Sequence, residues 1–224
     1  MYQDKQESYF SNCRDEMLVL IPALGNYRIL EIGAGSGETL VKAKETGLGC
    51  YVVGVDLVKT ENGSQSHPAI DRFLIGDIET LDGALEENFY DIILCGDVLE
   101  HLVDPWHCLA KLKLLLREGG LVIASIPNVR YWKVSMGLLF GGRWQYGDGG
   151  ILDASHLRYF VRSTVEDLFQ GAGFQIRHLG QTGPQRKWGL AAWGVNALTL
   201  GYFSDLLTVQ YLVVAAKGTG GAPG

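Results

Sequence analysis

YRILEIGAGSGETLVKAKET, residues 27–46, opens on six residues of strand character, turns through three glycines and closes on a helix-like run. The first six, Tyr27–Ile32, read as a strand because apolar and β-favouring residues crowd them. Residues 37–46 read as the helix that follows, ending near Gly47. Strand, glycine turn and helix make the first half of a crossover between parallel strands, and the chain repeats that theme. CYVVGVD (50–56), RFLIGD (72–77), YDIILCGD (90–97) and LVIASIP (121–127) are near-continuous apolar runs, the mark of strands covered on both faces. The stretch 57–71 is polar, with Gly63 and Pro68, and has room for a short helix only. Pro105–Arg117 carries Leu109, Leu112, Leu115 and Leu116 at helical spacing and stops at Glu118-Gly119-Gly120. Thr164–Gly171 reads as a further helix, with Ser163 as its cap and Glu166 three residues on. FQIRHLG (174–180) and LTVQYLVVAAK (207–217) supply the last strands. The expectation is an α/β fold with a doubly wound, mostly parallel sheet.

The 224 residues suit a single domain over 1–217, with insertions at 128–160 and 184–205 and a frayed tail at 218–224. Both insertions follow late strands, where an open α/β sheet keeps its ligand crevice, so they are the natural walls of a substrate pocket. An apolar fraction of 47% supports a full core and excludes a natively disordered chain. The net charge of −6 argues against nucleic acid as a partner, since a phosphate-binding surface needs clustered Lys and Arg. Only Arg186 and Lys187 form a local basic patch. The four cysteines, Cys13, Cys50, Cys95 and Cys108, lack any C-x-x-C pair and read as buried free thiols of a reducing compartment. The polar, acidic N-terminus has no secretory h-region, and a cytoplasmic protein is expected. The uncharged stretch WGLAAWGVNALTLGYF falls short of the roughly 20 apolar residues of a membrane span and contains Asn196, so a buried or lid helix is expected there. Peripheral membrane contact and the oligomeric state stay open.

The turn Glu31-Ile32-Gly33-Ala34-Gly35-Ser36-Gly37 lets a ligand touch backbone that a Cβ would screen. A dinucleotide fingerprint would place glycine at position 38, which is Glu38, and a carboxylate there is a poor neighbour for a pyrophosphate. A donor with no phosphate and a positive charge fits better. Asp56, 25 residues after Glu31 at the end of the second strand, is placed to accept from ribose hydroxyls. Asp77, just beyond the third strand, is placed to accept from an exocyclic adenine amine, with Ile78 packing on the base. Either acid alone reads as a cap or turn residue. Together, in this order and at strand ends, they read as contacts along one crevice.

ILEIGAGSGETL, VVGVD, GDIE and DIILCGDVLEHLVDP followed by LLREGGLVIASIPN resemble the successive motifs of class I S-adenosylmethionine (SAM)-dependent methyltransferases over roughly residues 27–127. The resemblance implies a Rossmann-like, seven-stranded sheet of order 3-2-1-4-5-7-6 with an antiparallel last strand. It implies SAM as cofactor, with S-adenosylhomocysteine as product. Gly33, Ala34, Gly35 and Gly37 would lie along the methionine portion of the donor, and Glu31 would help anchor its amine. Asp56, with Leu57, would bind the ribose, Asp77 and Ile78 the adenine, and the backbone at Cys95 and Gly96 would face the amino-acid end. The downstream stretch PNVRYWKVSMGLLFGGRWQYGDGGILDASHLRYFVRSTVEDLFQGAGF is similar to bacterial methyltransferases encoded with surface-polysaccharide and glycosyltransferase genes and, distantly, to the MetW group.

These likenesses suggest a small-molecule acceptor, sugar-containing by preference, methylated on oxygen. The runner-up is a non-catalytic SAM-binding partner of a biosynthetic enzyme; an NAD-type oxidoreductase is disfavoured by Glu38. SAM already carries an electrophilic methyl, so alignment and exclusion of water do most of the work, and a base helps a hydroxyl acceptor. His101, after the fourth strand, and His156, in Asp153-Ala154-Ser155-His156 with an acid three residues upstream, are the candidate bases. A structural histidine bonded to backbone is the equal alternative for each. Tyr131, Trp132, Trp144, Tyr146, Tyr159, Trp188 and Trp193 are candidate pocket aromatics, against a plain core role for the last two. Arg130, Arg143 and Arg158 are candidates for an acceptor anion, against simple solvation. No spacing of Cys, His or acids resembles a metal site.

Overall fold

A computed structural model of the chain describes residues 13–23, 25–60, 63–182 and 204–218. Helix α1 (Asp15–Leu18) precedes strand β1 (Tyr27–Ile32), helix α2 (Glu38–Glu45), β2 (Gly49–Asp56), β3 (Arg72–Ile75) and β4 (Tyr90–Gly96). Helix α3 (Pro105–Leu115), β5 (Leu116–Pro127), α4 (Trp132–Gly141), α5 (Arg162–Gly171), β6 (Phe174–Thr182) and β7 (Gln210–Lys217) complete the order. Single 3₁₀ turns sit at Ser64–Ser66, Leu99–His101 and Ser204–Leu207.

The strands form one seven-stranded sheet, β3-β2-β1-β4-β5-β7-β6, in which β7 is antiparallel to both of its neighbours. This is the expected order. The first five strands are parallel, so Ile32, Asp56, Ile75, Gly96 and Pro127 all end on one edge of the sheet. Alternation of side chains across the sheet divides the core in two. Leu30, Ile32, Val53, Val55, Ile93 and Cys95 face one side, where Leu109 and Leu112 of α3 and Leu168 and Phe169 of α5 cover them. Ile29, Val52, Ile92 and Leu94 face the other, under Met17 of α1 and Leu40 and Ala43 of α2. The central strand β4 is buried along its whole length, which explains why its sequence shows no polar alternation.

Several local expectations are corrected. The helix expected to reach Arg117 ends at Leu115, and β5 begins at Leu116 instead of 121. Its pairing with β4 slips between Tyr90 and Ile92, and Gly119 takes φ +76° there, so the glycines form a bulge within the strand rather than a break before it. Helix α5 starts at Arg162, and its cap is made by the Thr164 hydroxyl accepting from the Val161 N–H at 3.0 Å, not by Ser163. Cys95 and Cys108 are buried, but Cys50 is exposed at the outer end of β2. The insertion 128–160 holds α4, a helix that buries none of its residues; Leu139 and Phe140 lie open on it. The apolar stretch 188–203, with Trp188 and Trp193, lies outside the described residues, as do Arg186 and Lys187. Among the described residues no helix is long and apolar enough to cross a membrane.

Candidate active site

The glycine turn after β1 is pinned to the end of β2: Gly33 and Ala34 both donate backbone N–H to the Val55 carbonyl, at 2.9 and 3.1 Å. Gly33 takes φ +68°, and a Cβ on it would stand 2.5 Å from Val98 Cγ2, so only glycine fits there. Gly35 and Gly37 are also left-handed, and Gly37 is the N-cap of α2. Ala34 is buried against the α2 side of the core.

Asp56, 3% exposed, accepts the Gly35 N–H at 2.7 Å through Oδ2 and the Val58 N–H at 2.9 Å through Oδ1. Burial raises its pKa, while the N–H groups of Val58, Gly35 and Leu57 oppose the rise. Asp77 is half-buried and accepts the Glu79 N–H at 2.9 Å, capping the turn that carries buried Ile78. Glu31 is fully buried beside Asp56 and Arg14; burial drives its carboxyl up to about 8, against the Thr39 hydrogen bond and the Arg14 charge. Cys95 points into the core, where burial raises its thiol pKa, so only its backbone can face the sheet edge.

At that edge lies a cleft of about 250 Å³. Gly33, Asp56, Leu57, Asp77, Ile78 and His101 line it, together with Asp97 and Ser155. The structure thus brings the two strand-end acids, the first glycine and one candidate base into a single hollow.

Two arrangements there have no counterpart in the sequence reading. The first surrounds Asp97, a non-glycine residue at φ +53°. Its carboxylate accepts from Arg14 Nη1 at 2.5 Å, from Gln210 Nε2 at 2.7 Å and from the Ser125 hydroxyl at 3.1 Å. Strain of this kind persists only where surrounding contacts hold it, and side chains from β5, β7 and the residue before α1 do so here. Arg14 also lies over Gly96, whose absent Cβ would stand 3.2 Å from the Arg14 Nε. No pattern in the acidic N-terminus could have announced Arg14.

The second arrangement is a histidine pair. His101 Nδ1 lies 3.1 Å from the Ser155 carbonyl and His156 Nδ1 lies 3.0 Å from the Ile151 carbonyl. A carbonyl only accepts, so each Nδ1 carries the proton and each Nε2 is the basic nitrogen. The rings meet edge to face at 4.7 Å. Behind them Glu100 is 1% exposed, with Oε1 4.0 Å from His156 Nε2 and no hydrogen-bond partner for either carboxyl oxygen among the described residues. Burial, and then the Asp97 charge, push its carboxyl well above the usual range. One ligand atom from each of Glu100, His101 and His156 lies within 4.8 Å of the others. Sequence spacing missed this group because the insertion brings His156 back over the turn after β4. The carboxylate of Asp153 accepts from the Ser155 N–H and hydroxyl, at 2.8 and 2.6 Å.

Of the other candidates, Trp144 and Tyr159 stack edge to face at 5.1 Å. Arg158 donates to the Val103 carbonyl and lies 5.7 Å over the Trp106 ring, while Arg130 reaches Asp205 at 3.5 Å.

A family model described as a methyltransferase domain matches residues 5–179. The chain belongs to the class I SAM-dependent methyltransferases, and SAM is its cofactor. It is 34% identical over 116 residues to a ubiquinone biosynthesis O-methyltransferase of Bradyrhizobium diazoefficiens, a match that spans 49% of this chain and only 43% of that protein. A protein of the same name from Burkholderia cenocepacia is 30% identical over 170 residues, covering 70% of this chain and 72% of the relative. Among solved structures, Burkholderia thailandensis 1,6-didemethyltoxoflavin-N1-methyltransferase, with its acceptor and S-adenosylhomocysteine bound, superposes with a TM-score of 0.62. At 20% identity, over 92% of this chain and 78% of that one, it speaks for the fold.

Proposed function

We propose that the protein moves the methyl group of SAM to a hydroxyl oxygen of a small-molecule acceptor. The observation that carries this is the single cleft in which Asp56, Asp77 and Gly33 lie together with His101. Asp56 binds the ribose hydroxyls with Leu57 alongside, and Asp77 and Ile78 hold the adenine. Gly33, Ala34, Gly35, Gly37 and the backbone of Cys95 and Gly96 run along the methionine end. Glu31 and the Arg14–Asp97 pair are ionisable groups at that end, suited to the donor's ammonium and carboxylate. The donor supplies the methyl and leaves as S-adenosylhomocysteine; the chain's own residues align it and exclude water. His101, which lines the cleft, takes the acceptor proton, and His156 packs against it. The insertion 128–160 forms the acceptor wall, its Trp144–Tyr159 pair offering an aromatic surface.

The relatives' names favour an aromatic hydroxyl over the saccharide hydroxyl that the downstream sequence suggested. A screen that follows S-adenosylhomocysteine release with catechol-type phenols and with sugars decides between them. Release above background with neither, from a protein that binds SAM, would return the chain to the non-catalytic reading.

A second reading of the same chemistry rests on buried Glu100. With two imidazoles at ligand spacing, it forms a set that suits a divalent cation able to acidify the acceptor hydroxyl. In the same screen, activity that survives chelation and exhaustive dialysis would remove it.

Glu31 also makes a pH prediction. Below about 8 the ligand-free protein holds it protonated, whereas a donor ammonium favours the carboxylate. SAM affinity is therefore expected to tighten from about pH 6 toward 8, by at most tenfold per unit, with a proton released on binding. Calorimetry in buffers of different ionisation enthalpy reads that proton, and a flat profile would detach Glu31 from the ammonium. The sign for folding is opposite. An acid raised from its usual 4.5 stabilises the empty protein at low pH, and that contribution fades as pH climbs to about 8.

A further inference from the structure

Between β2 and β3 the chain crosses the sheet edge through a polar stretch that the donor assignment leaves without a role. One side chain there, Gln65, is 8% exposed and uses its whole amide. Its two N–H groups go to the Gly35 carbonyl at 2.7 Å and the Val58 carbonyl at 2.9 Å, and its oxygen accepts the Thr60 N–H at 3.1 Å. The Gly35 residue is thus gripped from both sides, its N–H by Asp56 and its carbonyl by Gln65. Val58 is gripped by the same two side chains. Neighbouring residues press the turn home: Ser64 donates to Glu38 at 2.8 Å, and a Cβ on Gly63 would stand 2.9 Å from Ser36 Cβ. Glu38, which set this turn apart from a dinucleotide loop, is therefore tied to the crossover by Ser64 at the first turn of α2.

We propose that Gln65 is a positioning residue of the donor site: it locks the glycine turn after β1 to the turn after β2, so that Gly35 and Asp56 present one preformed surface to the adenosyl group. The inference rests on the donor site proposed above. Its physical basis is pre-organisation, since loops already held in the bound geometry lose less freedom when the ligand arrives. No other side chain of that length offers two donors and an acceptor in one plane. Glutamate would turn an oxygen toward two carbonyls, and methionine would keep the shape without any hydrogen bond.

Gln65→Glu and Gln65→Met are to be compared with the full-length wild type by calorimetry with S-adenosylhomocysteine, by steady-state kinetics and by thermal melting with and without ligand. Both variants are expected to bind about tenfold to thirtyfold more weakly. The KM for SAM should rise in parallel, with kcat at saturating SAM and the acceptor KM within about twofold of wild type. Unchanged affinity with lower melting temperatures would make Gln65 merely structural and overturn the proposal. Should neither variant fold, hydrogen exchange on the wild type carries the test. S-adenosylhomocysteine should slow the amides of 33–37, 56–60 and 63–66 together, and no slowing at 63–66 would overturn it. A wild type that binds no S-adenosylhomocysteine defeats the donor assignment itself, which is a different failure.

Discussion

Replacing Asp56 with alanine is expected to weaken SAM binding by about two to four orders of magnitude. Two hydrogen bonds from ribose to a carboxylate, at roughly 1.5–3 kcal/mol each, set that scale. Asp56 already accepts the N–H groups of Gly35 and Val58, so its loss also loosens the turns that shape the cleft. Asp56→Asn separates the two effects. The amide keeps an acceptor oxygen for one turn but loses the charge, so melting temperature should recover further toward wild type than affinity does. Calorimetry with S-adenosylhomocysteine is the direct measurement, and wild-type affinity in Asp56→Ala would end the ribose assignment.

His101→Ala carries the second large expectation. A general base contributes about 10²–10⁴-fold, and kcat should fall within that range while S-adenosylhomocysteine affinity stays within about threefold. The reasoning is positional. His101 lines the cleft, whereas His156 is only 8% exposed behind it and is not among the lining residues. His156→Ala should therefore cost less than His101→Ala, through loss of the ring packed at 4.7 Å and exposure of the buried Glu100 carboxyl. Equal losses from both, accompanied by loss of a bound metal, would instead favour the divalent-cation reading. Unchanged turnover in His101→Ala would leave the acceptor proton to another group.

Much of this architecture was legible beforehand for a local reason. Tyr27–Ile32, Gly49–Asp56 and Tyr90–Gly96 are apolar because both faces of each strand are covered, and that condition is written into consecutive residues. The errors are local as well. The Glu118-Gly119-Gly120 run looks like a stop, and a register slip of β5 against β4 cannot be seen in either strand alone. Ser163 looked like a cap because serine favours that place, but the chain enters α5 two residues earlier and Thr164 reaches back to Val161.

The sequence by itself determined the residues proposed for the donor: a glycine turn after the first strand, acids at the ends of the second and third, and a sheet whose parallel strands bring those ends to one edge. These are properties of residues close together in the chain, set by strand pleat and turn chemistry. Only the tertiary structure decided what surrounds them. Arg14 reaches Asp97 across 83 residues, Gln210 reaches it across 113, and the insertion lays Ser155 against His101 across 54. Contacts at such separations obey no spacing rule, because they depend on which loops the sheet edge gathers rather than on any periodicity along the chain.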